Sequence, residues 1–167
     1  MKILIVGLGS IGKKHVDALL KINKSFIIYS YRSSKNLEIY KSVINIYKID
    51  EIEKLNLDLI IIFNPTSFHK STLEQLKALK IPVFIEKPLF HRLNISETVH
   101  FYEFNNIFSY MGCNLRFLDS LLYLKNKILV NDQEINEINV YCGSYLPSWR
   151  KGNFRENYST NPELGGG

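Results

Sequence analysis

The chain has 167 residues, 46% of them hydrophobic and 22% charged, with a formal net charge of +5. This balance excludes the polar, highly charged composition of a disordered chain, and the length allows one good core, or one domain and the start of a second. The lysines are scattered among Ile, Asn and Tyr rather than gathered into a stripe, which argues against a nucleic-acid partner. Cys113 and Cys142 lie far apart without a second pair or a His cluster, so neither a disulfide framework nor a metal site is indicated, and two buried, reduced thiols are expected. Lys2 before an apolar run superficially resembles a signal peptide, but Gly7, Gly9 and Gly12 interrupt the run, and Lys13 and Lys14 follow with no small-residue cleavage site. No segment approaches the roughly 20 apolar residues of a membrane span. A cytoplasmic location with no membrane partner is expected.

Residues 3–6 are a continuous β-branched run closed by glycine, as a strand buried on both faces requires. Over residues 11–22 the apolar positions Ile11, Val16, Leu19 and Leu20 recur at helical spacing, and residues 26–29 again look like a strand. Strand, glycine turn, helix and strand make one βαβ unit. A weaker strand follows at 43–47, a short helix at 49–55 and a strongly apolar strand at 58–63, which Asn64 and Pro65 break. A helix is predicted over 71–80, with Ser71 as its cap and Glu74 three residues on in a capping-box pattern. A strand at 83–85, a helix at 96–104 and a strand at 107–111 continue the alternation. Strands alternating with helices imply a parallel sheet covered on both sides. After Asn114 the rhythm changes to a long amphipathic segment at 117–130 and an alternating strand at 137–145, suited to a sheet with one wet face. A domain boundary is therefore set near Leu115, giving units 1–115 and 116–167.

Gly7-Leu8-Gly9-Ser10-Ile11-Gly12 is GxGxxG between a predicted strand and a predicted helix, the context that lifts this motif above chance. Gly7 permits the tight turn, Gly9 lets the backbone approach a pyrophosphate, and Gly12 allows helix and strand to pack closely. The phosphates would meet the exposed N–H groups and positive dipole end around Ser10 and Ile11. The competing reading is a tight turn with no ligand. A carboxylate about 20 residues on usually grips the ribose 2′-hydroxyl, but the stretch from Tyr29 to Lys35 contains no acid. Ser30, Arg32 and Ser33 can hydrogen-bond a 2′-phosphate that a carboxylate would repel, so NADP is preferred over NAD as cofactor. A solvated turn is the alternative there.

GLGSIGKKH near the start, NPTSFH after the fourth strand, EKPL after the fifth and GCNLRF after the sixth together resemble the Gfo/Idh/MocA family of NAD(P)-dependent oxidoreductases. The resemblance runs the length of the chain, and four motifs in register are far more specific than EKP alone. It implies a Rossmann doubly wound parallel sheet followed by the start of an α/β domain with a mostly antiparallel open sheet. It also implies hydride transfer to or from a sugar, cyclitol or nucleotide sugar, in surface-sugar pathways for members with a similar substrate loop. The lysine of EKP carries over to Lys87 as the catalytic residue, and an alcohol that loses hydride must also lose a proton, which a positioned lysine can share or relay. Glu86 and Pro88 flank it beside the cofactor, and Pro88 is expected to be cis as in the family. Asn64, Pro65, Thr66 and His69 match the loop running along the cofactor; for His69 alone, a packing role competes with cofactor contact. Asn114 and Arg116 match the crossover into the second domain and its substrate. Trp149, Arg150 and Arg155 fall in the segment similar to the substrate loop, where arginines can pair with carboxylate or phosphate and Trp149 can stack on a sugar face; a solvated loop is the alternative. The family follows its GGG with an Asp and a His that complete the catalytic group, so the sequence reads as a truncated or split member of low activity. A non-catalytic dinucleotide-binding sensor or regulatory module is the alternative, against which Lys87, Asn114 and Arg116 weigh. A homo-oligomer is expected of a full-length protein, as family members pair through the second domain's sheet.

Overall fold

The computed structural model describes residues 1–33, 39–92, 96–130, 134–149 and 152–166, with backbone alone at 96, 146 and 149. Six strands, β1 (Lys2–Val6), β2 (Ile27–Tyr31), β3 (Ile44–Ile46), β4 (Leu59–Ile62), β5 (Val83–Glu86) and β6 (Ser109–Gly112), form one sheet in the order β3-β2-β1-β4-β5-β6. Every pairing in it is parallel. The order reverses between β1 and β4, so a crevice opens where their C-terminal ends diverge, the place where doubly wound sheets take ligands.

The continuous aliphatic strands are explained by helices on both faces. Ile3, Ile5, Ile28, Val43 and Ile61 meet Val16 of α1 (Ser10–Ile22) on one face. Leu4, Val6, Ile60 and Ile62 face the other way, toward Ile52 of α2 (Ile49–Glu53), Leu73 and Leu76 of α3 (His69–Leu76) and Tyr102 of α4 (Ser96–Phe104). Alternate side chains of each strand thus enter two separate cores, and neither face can carry charge. Because all strands run the same way, the chain leaves β1, β2, β4, β5 and β6 at one edge of the sheet, and there the candidate site residues gather.

Two local expectations are corrected. The third helix begins at His69, not Ser71, because a 3-10 turn over Thr66–Phe68 already supplies its first turn. Ser71 therefore sits inside the helix and its Oγ donates to Phe68 O at 3.0 Å, while Glu74 turns outward to Lys77 and accepts from Thr98 Oγ1 of α4 at 2.5 Å. The Lys77 ammonium first, then the Thr98 hydroxyl, hold the Glu74 carboxyl below the ordinary carboxylate range. The cysteines are free as expected, but Cys113 is half-buried and Cys142 exposed rather than both buried.

Beyond β6 lie α5 (Asp119–Val130) and the short α6 (Leu146–Trp149). The strand expected at 137–145 does not form: residues 134–145 are irregular and exposed, and every strand among the described residues belongs to the parallel sheet. Alternation of apolar and polar residues makes a strand only when a second strand satisfies its backbone groups, and no described strand pairs with this one. The antiparallel sheet expected of a second domain is accordingly not seen.

Candidate functional site

The glycine turn follows from backbone sterics. Gly7 leaves β1 with φ +94°, a conformation side chains disfavour, and a Cβ there would lie 2.6 Å from Asn64 N. A Cβ on Gly12 would lie 2.4 Å from Gly7 O, so α1 starts against β1 only because both residues are bare. Gly9, the helix N-cap with φ −78°, differs: a Cβ there meets nothing within 4 Å. Exposed Ser10 and Ile11 form the first turn, which carries no acidic residue and no side-chain cap. The first N–H groups of the helix and the positive end of its dipole thus face open space at the switch point, and these residues fit a dinucleotide pyrophosphate.

One strand beyond β4, the end of β5 carries Glu86, Lys87 and Pro88. The Lys87–Pro88 bond is cis, as expected. Lys87 is exposed, and its N–H donates to Glu86 Oε2 at 3.1 Å. The other carboxylate oxygen of Glu86 lies 3.6 Å from Nε2 of His15, whose ring stacks on Phe63 with centroids 4.3 Å apart. Glu86 is thus held from α1 and from its own turn.

His69, expected beside the cofactor, is 1% exposed. Its Nε2 is 2.9 Å from Asn64 O, and its Nδ1 is 3.1 Å from both Pro88 O and Leu89 O. A ring enclosed in this way has no free edge, so the cofactor-contact reading is corrected to a link between two loops. Asn64 Nδ2 in turn donates to Thr72 Oγ1 at 2.8 Å. Thr66, 2% exposed, has its hydroxyl 3.1 Å from the Tyr158 hydroxyl. That bond ties the loop after β4 to the segment around Tyr158. Pro65, half-buried, precedes the 3-10 turn.

At the end of β2 the expected phosphate ligands separate. Ser30 is 0% exposed, on the same strand face as Ile28, and its hydroxyl has no partner. The reading of Ser30 as a phosphate ligand is therefore corrected: inward parity in the strand denies it to any ligand at the sheet edge. Arg32 lies one residue past the strand, half-buried, with its N–H donating to Ile46 O at 3.0 Å, and Ser33 is exposed.

A family model described as an oxidoreductase family with NAD-binding Rossmann fold, Gfo/Idh/MocA, matches residues 1–104. The chain belongs to this family. Among solved structures, myo-inositol 2-dehydrogenase from Lactobacillus plantarum aligns at 26% identity and TM-score 0.66 over 78% of this chain and 41% of that one. The WlbA dehydrogenase from Chromobacterium violaceum, in complex with NADH and UDP-GlcNAcA, aligns at 16% identity and TM-score 0.68 over 79% and 40%. UDP-N-acetylglucosamine 3-dehydrogenase GnnA from Acidithiobacillus ferrooxidans aligns at 18% identity and TM-score 0.64 over 76% and 43%. The last two show the fold alone. The chain spans about two fifths of the length of these structures. No curated protein matches it by sequence.

The Gfo/Idh/MocA chain carries its expected substrate residues in different settings. Asn114 and Arg116 are exposed in a 3-10 turn, Asn114–Phe117, directly after β6. Arg116 lines an open hollow of about 410 Å³ with Leu115, Leu121, Leu122 and Lys125. Arg155 is exposed, its guanidinium 5.2 Å from the Phe154 ring centroid. Trp149 ends α6, its side chain outside the description, and Arg150 lies outside the described residues. The segment around them nonetheless returns to the loop after β4 through Tyr158, and at Gly165 a Cβ would lie 2.8 Å from the Thr66 Cβ. Sequence reasoning missed His15 and Tyr158. His15 stood within GLGSIGKKH, where its helical position, a turn after Gly12, was the available signal; Tyr158 closed the aromatic-rich segment read as a substrate loop, but its partner Thr66 lies far away in sequence. Among the described residues no helix is long and apolar enough to cross a membrane.

Proposed function

We propose that this chain is the dinucleotide-binding and proton-handling part of an oxidoreductase that prefers NADP and acts on a hydroxyl or keto group of a sugar, cyclitol or nucleotide sugar. The observation that carries the reading is the open space over Gly9 at the bare start of α1, with Lys87 leaving the same sheet edge two strands away. The dinucleotide, when bound, supplies the site that accepts or donates hydride. The N–H groups of Ser10 and Ile11 hold the pyrophosphate, and Arg32 with Ser33 takes the 2′-phosphate, no carboxylate being present between Tyr29 and Ser33 to repel it. Lys87 hydrogen-bonds the reacting hydroxyl and takes up its proton as the alcohol becomes a ketone, or returns it in the reverse direction. Inositol, UDP-GlcNAcA and UDP-N-acetylglucosamine in the names of similar structures support the substrate class. Its proposed contacts are Asn114, at the end of a dinucleotide unit of 1–115, and Arg116, Trp149, Arg150 and Arg155, in a second unit that begins at residue 116.

The test is reduction of NADP+ and NAD+ at 340 nm by the protein with a panel of inositols, sugars and UDP-sugars, alongside Lys87→Ala. General acid–base assistance contributes about 10²–10⁴-fold, so Lys87→Ala should lower turnover on that order while retaining dinucleotide binding. Equal turnover of both proteins sinks the assignment of Lys87.

A further inference from the structure

The β4–β5 ladder ends at the pair Ile62 and Ile85. Past that pair the two strands deliver the loops that would face the cofactor and the reacting hydroxyl, and the His69 ring lies between them. It comes from the first residue of α3, is 1% exposed, and spans from Asn64 O at 2.9 Å to Pro88 O and Leu89 O at 3.1 Å. A carbonyl oxygen only accepts, so a ring that holds both sides at once must carry a proton on each nitrogen, Nε2 serving the β4 loop and Nδ1 the β5 turn, whereas a neutral ring, with a single N–H, would tie down one loop and only abut the other. Thr72, one helical turn along the same face, receives the Asn64 side-chain amide at 2.8 Å, so α3 grips Asn64 by main chain and side chain together.

We propose that His69 is a positioning residue that clamps the Asn64–Thr66 loop to the Lys87 turn, so that the dinucleotide-side and proton-handling halves of the site keep one fixed spacing. The functional part of this inference rests on the reading of Lys87 and the dinucleotide given above; the clamp itself does not. An asparagine amide nitrogen falls close to the position of histidine Nδ1, and a glutamine amide nitrogen close to that of Nε2. His69→Asn therefore preserves the tie to Pro88 and Leu89, and His69→Gln preserves the tie to Asn64. A residue that merely fills space would not distinguish these two variants by loop.

The experiment is peptide-resolved hydrogen exchange on the full chain and on His69→Ala, His69→Asn and His69→Gln, followed by titration of each with NADPH. Loss of one net hydrogen bond corresponds to about five- to tenfold faster opening. His69→Ala should accelerate exchange by that factor in peptides covering 63–68 and 86–91 together, leaving 2–22 unchanged. His69→Asn should accelerate 63–68 only, and His69→Gln 86–91 only. Matching behaviour of the Asn and Gln variants, or an effect of His69→Ala confined to one loop, overturns the clamp; where the alanine variant does not fold, the Asn and Gln pair decides. NADPH affinity reduced in all three variants, most in His69→Ala, supports the positioning role, and unchanged affinity throughout overturns it. A wild-type chain that binds no NADPH refutes the functional reading instead, and the exchange pattern alone then judges the clamp.

Discussion

Gly9→Ala and Gly12→Ala should separate the two tasks of the glycine turn. At Gly12 the added Cβ would lie 2.4 Å from Gly7 O, whereas ordinary contact begins near 3.4 Å, so roughly 1 Å must be found between two backbones that cannot rotate aside. The start of α1 has to move off β1, disturbing Val16, which is 0% exposed beneath it. Overpacking of this kind costs about 1–3 kcal/mol. With a urea slope of about 2 kcal/mol/M, the unfolding midpoint should fall by roughly 0.5–1.5 M. At Gly9 the Cβ meets nothing within 4 Å and φ is −78°, acceptable to alanine, so the cost is limited to the poorer N-cap that alanine makes, about 1 kcal/mol or less. The methyl group does occupy the space assigned to the pyrophosphate, and NADPH affinity should drop about tenfold or more, equivalent to at least about 1.4 kcal/mol. Urea unfolding followed by circular dichroism, with NADPH titration of each variant, gives both quantities. A Gly12→Ala protein as stable as wild type, or a Gly9→Ala protein that binds NADPH normally, would refute the steric argument at that position.

Tyr102 is 6% exposed, and burial first, then the nearby Glu74 carboxylate, pushes its hydroxyl from 10.0 up to about 12. Below pH 10 the phenol is protonated folded and unfolded alike and its contribution is intact; between about pH 10 and 12 the unfolded chain ionises first and roughly 2–3 kcal/mol is lost. Tyr102→Phe should show a correspondingly shallower alkaline loss in denaturant melts, and parallel pH profiles for the two proteins would contradict it. Arg32→Ala should weaken NADPH binding by about tenfold while leaving NADH nearly unchanged, since a hydrogen bond to a charged group contributes about 1.5–3 kcal/mol; equal losses for both dinucleotides would remove Arg32 from phosphate recognition.

The parallel sheet was legible because its signal is local. Ile3 to Val6 and Asp58 to Phe63 are apolar at successive positions, which only burial on both faces explains, and the structure buries Leu4 and Ile5 in opposite cores. The glycines were legible for the same reason, since each answers a steric demand within a few residues of itself. What failed depended on parity or on distant partners. Ser30 lies in a polar stretch, yet alternation along β2 turns it inward beside Ile28. Ser71 and Glu74 have the spacing of a capping box, but a preceding 3-10 turn advances the helix start, and Thr98 and Lys77 take the carboxylate. His69 showed its loop but not its direction: only in three dimensions do Pro88 and Leu89 arrive on its far side. The alternation at 137–145 failed because a strand's existence is decided by a neighbour, which no local pattern supplies.

The central claim is that the glycine turn at the β1–β4 switch point seats a dinucleotide with its 2′-phosphate at Arg32 and Ser33. Fluorescence titration of the purified 167-residue chain with NADPH and, separately, with NADH tests it most directly. Saturable binding, tighter for NADPH and abolished or strongly weakened in Gly9→Ala, is the predicted result; binding of neither dinucleotide by a folded chain would contradict the claim.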